Sequence, residues 1–309
     1  MRNGPDIVGF GSVSVDELLR VDQAFGVGKG RVVEEWTAHG GNVATALVAA
    51  SSLGARTGYV GWLSDDPRDT AVADSLSSRG VDLSRATRSA DARPIRSTVV
   101  IDPSGERFIA FRDDTRLGAP PTLSVEDLGS ARFLLIDAYA AHTPAIVREA
   151  VSAGVAVIGD IEWSIGPASD ELMTLCQHLV LPWEFAASAT GATTAPAMID
   201  ALWSADREAV AVTRGASGAW VRQRGGDQVW HQEGFSVDVR DTTGCGDWFH
   251  GAYGAALSRG LDPCRSVQFA AAAAALSAEF IGGRSTAVTP AAVERLVISA
   301  HASAPVRVR

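Results

Sequence analysis

The sequence predicts an α/β fold, in which helices cover both faces of a central, mostly parallel sheet and a small β-sheet forms a lid. From Phe133 onward, short apolar runs alternate with helical stretches, which is the rhythm of βαβ units. Between residues 85 and 112 the pattern changes to two β-rich runs around a strong turn. Neither an internal repeat nor a low-complexity linker divides the 309 residues. We therefore expect one domain over 1–309, with the lid contributed by about 13–38 and 85–115.

Composition and charge exclude several classes of function. The chain is 46% hydrophobic and 20% charged, as is typical of a protein that buries a core. A net charge of −9 argues against a nucleic-acid or anionic-membrane partner, although a few local amides can still bind phosphate. The three widely spaced cysteines predict neither a disulfide framework nor a metal site. Residues 1–6 do not resemble a secretory signal and no apolar run is long enough to cross a bilayer, so we expect a cytoplasmic protein.

Two early segments could line a ligand crevice. Residues 7–12 predict a buried first strand, and Asp16 lies just beyond its carboxyl end, where polar residues of open α/β sheets meet ligands. Gly40-Gly41-Asn42 then opens an Ala-rich helix that runs to Leu53. Adjacent glycines let a ligand approach the backbone, as a polyol substrate would require. Taken alone, Asp16 is better explained as a turn or cap residue, and the glycine pair is equally consistent with a tight turn.

The remaining elements follow from local patterns. Residues 97–101 and 107–111 flank the turn at 102–105 and predict a hairpin, which with residues 32–36 could form a small sheet. Such a sheet could exclude water from a phosphoryl-transfer site. The predicted strands of the later region are 133–136, 155–159, 178–181 and 209–213, and its helices include 144–153, 171–176, 195–204, 248–257 and 269–280.

The stretch Asp241-Thr242-Thr243-Gly244-Cys245-Gly246-Asp247 is the most informative segment. Its glycine-spaced turn leads into a helix and so directs backbone N–H groups to one spot beside the positive end of the helix dipole, which favours an anion. Asp247 adds a carboxylate in the first turn. Amides that hold a transferring phosphoryl group, beside a carboxylate that takes a proton from an alcohol, are the parts of a small-molecule kinase. On residue types alone, an ordinary capped helix start is equally consistent.

In this order, the elements resemble the ribokinase-like carbohydrate kinase family, also called the PfkB family. The resemblance runs nearly end to end and rests on Gly40-Gly41, the β-rich lid, the turn at 213–218 and the signature at 241–247. The glycine pair and the lid run at 104–109 are most similar to those of ketohexokinases and related bacterial sugar kinases. The family implies a three-layer α/β/α fold with a small β lid. It also implies transfer of the γ-phosphate of ATP, with Mg²⁺, to a primary hydroxyl of a ketose or ribose-like sugar.

The resemblance implies roles for residues at matching positions. The catalytic group would comprise the base Asp247 and an anion hole made by the amides of Gly244, Cys245 and Gly246. The sugar would be bound by Asp16, Gly41, Asn42 and Arg107. The nucleotide would be bordered by Thr213, Gly215, Gly218 and Thr242. Asp241 and Thr243 lie where relatives often bind a monovalent cation, so potassium is a candidate activator. Because relatives often pair through their lid sheets, we expect a homodimer.

Two positions depart from the family pattern. A family asparagine that helps to hold the sugar corresponds to Thr45, which has a shorter side chain without an amide. The family's Asn-x-x-Glu element, which organises magnesium, has its nearest match at residues 181–184, where Leu181 replaces the asparagine. Glu184 is therefore a candidate for the metal with a doubtful role. Neither departure removes the base or the anion hole.

Two residues of the signature region allow competing interpretations. Cys245 is either a small buried filler, which we favour, or a reactive thiol whose pKa is lowered by the helix N-terminus. Trp248 either walls the sugar pocket or packs in the core.

Other acceptors and other classes of function stay open. Arg96, Arg107 and Arg112 would suit an anionic acceptor such as a sugar phosphate or sulfosugar, since guanidinium groups pair well with oxyanions. For any one of them, a solvated strand face is the simpler interpretation. A nucleoside is a third acceptor class. A relative that binds a sugar or nucleotide without turnover would fit the changes at Thr45 and Leu181. An oxidoreductase is disfavoured, because no G-x-G-x-x-G follows the first strand.

Overall fold

The structure, a computed structural model, describes residues 4–26, 28–112, 116–117, 128, 131–284, 288–299 and 305–308. Strands in these ranges are β1 (Ile7–Phe10), β2 (Ser14–Val21), β3 (Val32–Gly40), β4 (Thr57–Tyr59), β5 (Trp62–Ser64), β6 (Val81–Asp82), β7 (Thr87–Ser89), β8 (Ala92–Arg93), β9 (Ile95–Ile101), β10 (Arg107–Arg112), β11 (Arg116–Leu117), β12 (Phe133–Asp137), β13 (Ala156–Asp160), β14 (His178–Pro182), β15 (Ala209–Thr213), β16 (Ala219–Gln223), β17 (Trp230–Gln232) and β18 (Val306–Arg307). The α-helices are α1 (Asn42–Ser52), α2 (Thr70–Ser77), α3 (Pro144–Ser152), α4 (Pro167–Leu175), α5 (Trp183–Thr190), α6 (Ala195–Leu202), α7 (Cys245–Ser258), α8 (Pro263–Ser277) and α9 (Pro290–Ser299).

A ten-stranded sheet forms the centre, in the order β18-β17-β16-β15-β14-β13-β12-β1-β4-β6. The pairs from β15 to β6 are parallel, whereas β16, β17 and β18 pair antiparallel at one edge. Strands β12 to β15 are almost wholly buried, as expected for parallel strands covered on both faces. The predicted α/β class with a mostly parallel sheet is confirmed.

Helices cover both faces of this sheet and make three layers. One core cluster joins the sheet to α1, α2, α7, α8 and α9, and a second joins its other face to α3, α4, α5 and α6. Alanine is frequent in α1 and α8, and alanine and glycine are frequent in α7, so these helices pack closely on each other and on the sheet.

A separate four-stranded sheet, which we call the lid sheet, has the order β10-β9-β2-β3. The predicted hairpin is present as β9 and β10, which pair antiparallel. The hairpin and residues 32–36 lie in one sheet, as expected, and β2 lies between them, parallel to β9 and antiparallel to β3. Residues 27 and 113–115 of the expected lid lie outside the described residues.

Other differences from the sequence prediction concern boundaries and one segment. The helix predicted over 269–280 begins earlier, at Pro263, because Asp262 caps it by accepting a hydrogen bond from the Arg265 amide at 3.0 Å. Residues 235–239 alternate like a strand but form none. No helix among the described residues is long and apolar enough to span a bilayer.

Candidate active site

The site lies at the carboxyl ends of the parallel strands. Ser12 follows β1, Asp137 and Asp160 end β12 and β13, and Thr213 ends β15. Ligands bind at this edge in open α/β sheets, because the loops that follow each strand converge there. The amide and hydroxyl of Ser12 both donate to Asp137 Oδ2 at 2.7 Å, which ties the β1 end to the β12 end.

Helix α7 points its N-terminus into this edge. Gly244, its N-cap, has φ 76° and lies against the 282–284 segment: a Cβ on Gly244 would be 2.9 Å from Gly283 Cα. Both the left-handed backbone and the close approach require glycine here. Asp247 is the acidic residue of the first turn, as the sequence predicts.

The backbone amides expected to form the anion hole differ in whether they already donate a hydrogen bond. The Cys245 amide donates to the Thr242 carbonyl oxygen at 3.3 Å, which closes the turn. Within the described part of the chain, the Gly244 and Gly246 amides have no backbone acceptor. Gly246 is exposed, and a Cβ on it would meet nothing within 4 Å. Space is therefore open beside Gly246, and the helix dipole makes the amides at this end of α7 attractive to an anion.

Asp247 is a carboxylate poised to accept a proton. Burial raises its pKa well above the usual range, and the carboxylates of Asp160 and Glu162 raise it further. The guanidinium groups of Arg284 and Arg107 oppose this rise. A raised pKa makes a carboxylate a stronger base toward an alcohol, which suits general-base catalysis.

Asp160 and Glu162 are site residues that we did not predict. Asn42 Nδ2 lies 3.1 Å from Glu162 Oε1 and 3.4 Å from Asp160 Oδ2, so this predicted sugar-binding side chain also connects to the acidic pair. Burial, followed by the charge of Asp160, raises the pKa of Glu162. The position of Asp160 at a strand carboxyl end is a signal that could have identified it.

The same signal could have identified Asp137, because it directly follows the predicted strand 133–136. Burial raises its pKa to about 6, although Ser12 and the Tyr139 amide donate hydrogen bonds to the carboxylate.

Asp16 lies in β2 of the lid sheet, and not simply beyond the first strand. Its carboxylate accepts hydrogen bonds from Ser14 Oγ at 2.9 Å and from Ser97 Oγ. Burial raises its pKa, and these two hydroxyls partly offset the rise. The carboxylate is thus held in place by two side chains and can still accept hydrogen bonds from hydroxyl groups of a ligand.

Gly41 is the N-cap of α1 and has φ 94°. A Cβ there would lie 2.5 Å from the Ser12 carbonyl oxygen, so only glycine fits. The backbone N–H of Asn42 donates to Ser12 Oγ at 3.2 Å. The glycine pair is therefore packed against the β1 end, beside Asp16.

Arg107 begins β10 and reaches from the lid sheet to the signature turn. Its Nη1 donates to Thr242 Oγ1 at 2.6 Å. A predicted sugar-binding residue and a predicted nucleotide-binding residue are therefore direct partners. The Arg107 charge also acts on Asp247 and Glu162.

The predicted nucleotide turn follows β15. Gly215 has φ 46° with open space around it, whereas a Cβ on Gly218 (φ 87°) would lie 1.9 Å from the Gln232 carbonyl oxygen. The Arg214 guanidinium lies 4.1 Å from the centre of the Trp183 ring and is otherwise exposed. A cation beside an open glycine turn suits a polyphosphate.

Asp241 and Thr243 form a buried polar turn beside the anion hole. The carboxylate of Asp241 accepts from the Thr243 amide at 2.8 Å and from the Gly282 amide at 2.7 Å. The Thr243 Oγ1 atom is buried without a hydrogen-bond partner in the described residues. An orphaned oxygen beside a buried carboxylate fits a cation whose ligands are oxygens.

The residues at 181–184 divide between core and surface. Leu181 is fully buried in β14, where it packs in the sheet core. Glu184 is exposed in the first turn of α5, and it forms no hydrogen bond or ion pair within the part of the chain that the structure describes.

The burial of Cys245 and Trp248 bears on the two hypotheses about the signature region. The pKa of Cys245 is raised by burial, not lowered, although Ser277 Oγ lies 3.5 Å from its Sγ. Trp248 is fully buried in the core and donates from Nε1 to the Gly283 carbonyl oxygen at 2.7 Å. The full burial of Trp248 contradicts the pocket-wall hypothesis. The raised pKa of Cys245, which is partly exposed, argues against the reactive-thiol hypothesis.

Comparison with known proteins identifies relatives across the whole chain. The sequence profile described as pfkB family carbohydrate kinase matches residues 5–290. An ATP-dependent ribose-1-phosphate kinase of Halopiger xanaduensis is 27% identical over 290 residues, which cover 90% of this chain and 94% of the relative. A ribokinase of Haemophilus influenzae is 27% identical over 307 residues, covering 94% and 97%.

A solved structure agrees with these sequence relatives. A candidate ribokinase from Agrobacterium tumefaciens superimposes with a TM-score of 0.88 at 28% identity, covering 96% of this chain and 98% of the other. The ribokinase-like fold expected from the sequence is confirmed. The expected special similarity to ketohexokinases stays a prediction.

Proposed function

The chain belongs to the pfkB family of carbohydrate kinases, and from this premise we propose the acceptor and the mechanism of an ATP-dependent sugar kinase. The acceptor is a primary hydroxyl of a small neutral sugar, ribose-like or a ketose. The observation that carries the proposal is Asp247, a carboxylate with raised pKa beside open backbone amides at a helix N-terminus.

The sugar is held between the lid sheet and α1. Asp16, fixed by Ser14 and Ser97, accepts hydrogen bonds from sugar hydroxyls beside Gly41, which is partly exposed and carries no side chain. Asn42 presents an amide that can exchange its bond to Glu162 for a sugar hydroxyl. Several fixed groups around one sugar orient its reacting hydroxyl toward Asp247 and lower the entropic part of the barrier.

Asp247 takes the proton of that hydroxyl as the oxygen attacks the γ-phosphorus of ATP, and ADP leaves. The Gly244, Cys245 and Gly246 amides and the α7 dipole stabilise the charge on the phosphoryl oxygens. For the Cys245 amide, this requires its 3.3 Å bond to the Thr242 carbonyl to lengthen or to be shared. Arg107 adds a cation from the lid side.

The nucleotide lies along the turn from Thr213 to Gly218 and against Thr242. The open face of Gly215 and the Arg214 guanidinium above Trp183 support a polyphosphate here. Mg²⁺, when bound, would neutralise phosphate charge. No group of three metal-ligating side chains occurs in the described residues. Glu184, exposed and unpaired among those residues, is the carboxylate that would assist.

Potassium is proposed to bind at Asp241 and Thr243. The buried, orphaned Thr243 Oγ1 supports a cation there, because a bound ion would satisfy that oxygen. Activity in potassium chloride should exceed activity in tetramethylammonium chloride, and Thr243→Val should shrink the difference. Equal wild-type activity in the two salts would contradict the proposal.

Two copies are proposed to pair through the outer face of the lid sheet. Registers place Phe108, Val100 and Leu19 in one row on one face, and Phe108 is 61% exposed. The opposite face carries Leu18 and Val99, which pack on Ile281. An exposed apolar row on a sheet that is already covered on its other side favours association with a second sheet.

An anionic acceptor is less well supported. Arg96 is ion-paired with the buried Asp69, and Arg107 is engaged with Thr242, so two of the three lid arginines are already occupied.

The acceptor is tested by coupled ADP release with ribose, fructose, related ketoses, ribose-1-phosphate, a sulfonated ketose and adenosine. A neutral ribose-like sugar or ketose should have the highest kcat/KM. A preference for a phosphorylated or sulfonated sugar, or for adenosine, would contradict the proposed acceptor. ATP binding without acceptor-dependent turnover would instead support a non-catalytic relative.

We also propose a cytoplasmic location, where ATP is available and the three cysteines, unpaired in the structure, would stay reduced.

A further inference from the structure

Residues 281–284, which we call the junction loop, contact four parts of the site in succession. Ile281 packs against the lid-sheet cluster of Leu18, Val99 and Ile101. The Gly282 amide donates to Asp241, Gly283 lies against Gly244, and Arg284 reaches the Gly40 carbonyl oxygen. One short segment thus joins the lid sheet, the proposed cation site at Asp241, the proposed anion hole at Gly244 and the proposed sugar-binding turn at Gly40–Gly41.

Arg284 makes the longest connection in the junction loop. It is 4% exposed, and it donates from Nε to Thr45 Oγ1 at 3.1 Å and from Nη1 to Ser75 Oγ at 3.4 Å, besides its bond to Gly40. These partners lie in α1, α2 and the end of β3. Burial lowers the Arg284 pKa to about 10, and the charges of Asp16 and Asp247 oppose this.

The charge of the buried Arg284 guanidinium is compensated from the site and not by its direct hydrogen-bond partners, which are neutral. In the described residues it forms no ion pair within 4.0 Å, and its counter-charges are the carboxylates of Asp16 and Asp247. Desolvating a cation in this way costs free energy unless nearby charges compensate. The two compensating groups are the proposed sugar-binding residue and the proposed base.

Thr45, in α1, is a direct hydrogen-bond partner of Arg284. This is the position where the sequence departs from the family asparagine that holds the sugar. Its hydroxyl is buried and accepts the Arg284 Nε–H at 3.1 Å, so it is engaged with the junction loop. A longer amide at this position would compete for the space that the guanidinium occupies.

We propose that Arg284, paired with Thr45, is a positioning residue that fixes the sugar-binding turn at Gly40–Gly41 relative to the anion hole and the base. This inference rests on the proposed function. It couples sugar binding to phosphoryl transfer, because the same loop holds Gly40 through Arg284 and Gly244 through Gly283.

Four single variants and one double variant, Thr45→Val with Arg284→Met, test the inference, and thermal unfolding measures whether each is folded. Arg284→Lys keeps the positive charge but loses the planar set of guanidinium donors. Arg284→Met loses both the charge and the donors, and Thr45→Val removes only the hydroxyl that accepts from Arg284. Arg207→Lys is the matched control, because Arg207 is 5% exposed and donates to the carbonyl oxygens of Leu202, Met173 and Cys176. None of these control partners belongs to the site.

The expected results separate positioning from stability. Arg284→Lys should raise the sugar KM about tenfold or more, as for loss of a hydrogen bond from a charged donor, with the ATP KM nearly unchanged. Thr45→Val should raise the sugar KM by a smaller factor and should add nothing in an Arg284→Met background, because the shared bond is already lost. Arg207→Lys should lower the melting temperature and leave both KM values unchanged.

The pH profile provides a second readout. Asp247 is faced by Asp160 and Glu162, which raise its pKa, and by Arg284 and Arg107, which lower it. Arg284→Met removes one positive charge and should therefore move the acid limb of kcat/KM about half a pH unit or more toward higher pH. Arg284→Lys keeps the positive charge and should leave the acid limb of kcat/KM at the wild-type pH.

The outcomes are distinguishable. If wild type shows no acceptor-dependent turnover, the proposed function fails and this inference fails with it. If wild type is active but both Arg284 variants keep its sugar KM and acid limb, and lose only stability as Arg207→Lys does, the positioning role is overturned. If neither Arg284 variant folds, Thr45→Val decides, and a wild-type sugar KM in that variant overturns the inference.

Discussion

Asp247 sits in an electrostatic environment that keeps its proton to a higher pH than an ordinary carboxyl group. Burial is the largest cause, the nearby Asp160 and Glu162 add to it, and two arginines oppose it. Because the base must be deprotonated to act, activity should fall as pH drops through this raised pKa. We therefore predict that the acid limb of kcat/KM lies clearly above pH 4, the region of a free carboxyl group.

A variant of one neighbour checks the cause. Glu162→Gln removes a negative charge beside Asp247, so it should lower the pKa of Asp247 and move the acid limb toward lower pH. Profiles of kcat/KM against pH for wild type and Glu162→Gln make the comparison. An unchanged limb, or a shift to higher pH, would show that Asp247 does not control it.

A second prediction concerns neighbouring residues of the anion hole. Gly244→Ala places a Cβ 2.9 Å from Gly283 Cα at φ 76°, so it should displace the amides and lower kcat about 100-fold or more. Cys245→Ala keeps the same backbone and should lower kcat less than about tenfold, because the proposed contribution is the amide and not the thiol.

Steady-state kinetics on both variants make this test, with circular dichroism to confirm folding. Similar losses in the two variants would contradict an anion hole built from backbone amides. Rapid inactivation of wild type by iodoacetamide at neutral pH, absent in Cys245→Ala, would contradict the raised thiol pKa.

At the scale of elements, the lid sheet shows what local patterns can and cannot predict. The hairpin of β9 and β10 was predictable because a Pro-Ser-Gly turn separates two β-rich runs. The position of β2 was not, because Ser14–Val21 mixes charged and apolar residues without regular alternation. Its pairing with β9 joins residues about eighty positions apart, such as Asp16 and Ser97, and tertiary contacts alone decide it.

The outer face of the lid sheet yields a third prediction. Phe108→Asp places a charge in the exposed row with Val100 and Leu19, so it should convert the proposed dimer to a monomer. Ile298→Asp is the matched control, since Ile298 is 76% exposed in α9, away from the lid sheet. Sedimentation velocity of both variants measures the change. A monomeric wild type, or a dimer that survives Phe108→Asp, would contradict pairing through this face.

For the whole molecule, the alternation of strands and helices was enough to predict the layers and the edge where the site lies. The turn from Asp241 to Asp247, which leads into a helix with Asp247 in its first turn, was likewise predictable, because these residues are adjacent in sequence. Asp137 and Asp160 could have been found by asking which acidic residues follow predicted strands. Arg284 could not, because it meets Thr45 across 239 positions and no local pattern marks a buried arginine.

Replacement of the base by its isosteric amide tests the central claim most directly. Asp247→Asn should lower sugar-dependent ADP release by about a thousandfold or more, since proton removal and charge balance at the reacting oxygen are both lost. Calorimetric binding of ATP and of the best acceptor should stay within about threefold of wild type, because uncharged hydrogen bonding is retained. Substantial turnover by Asp247→Asn, with ligand binding intact, would show that another group takes the proton and would contradict the account.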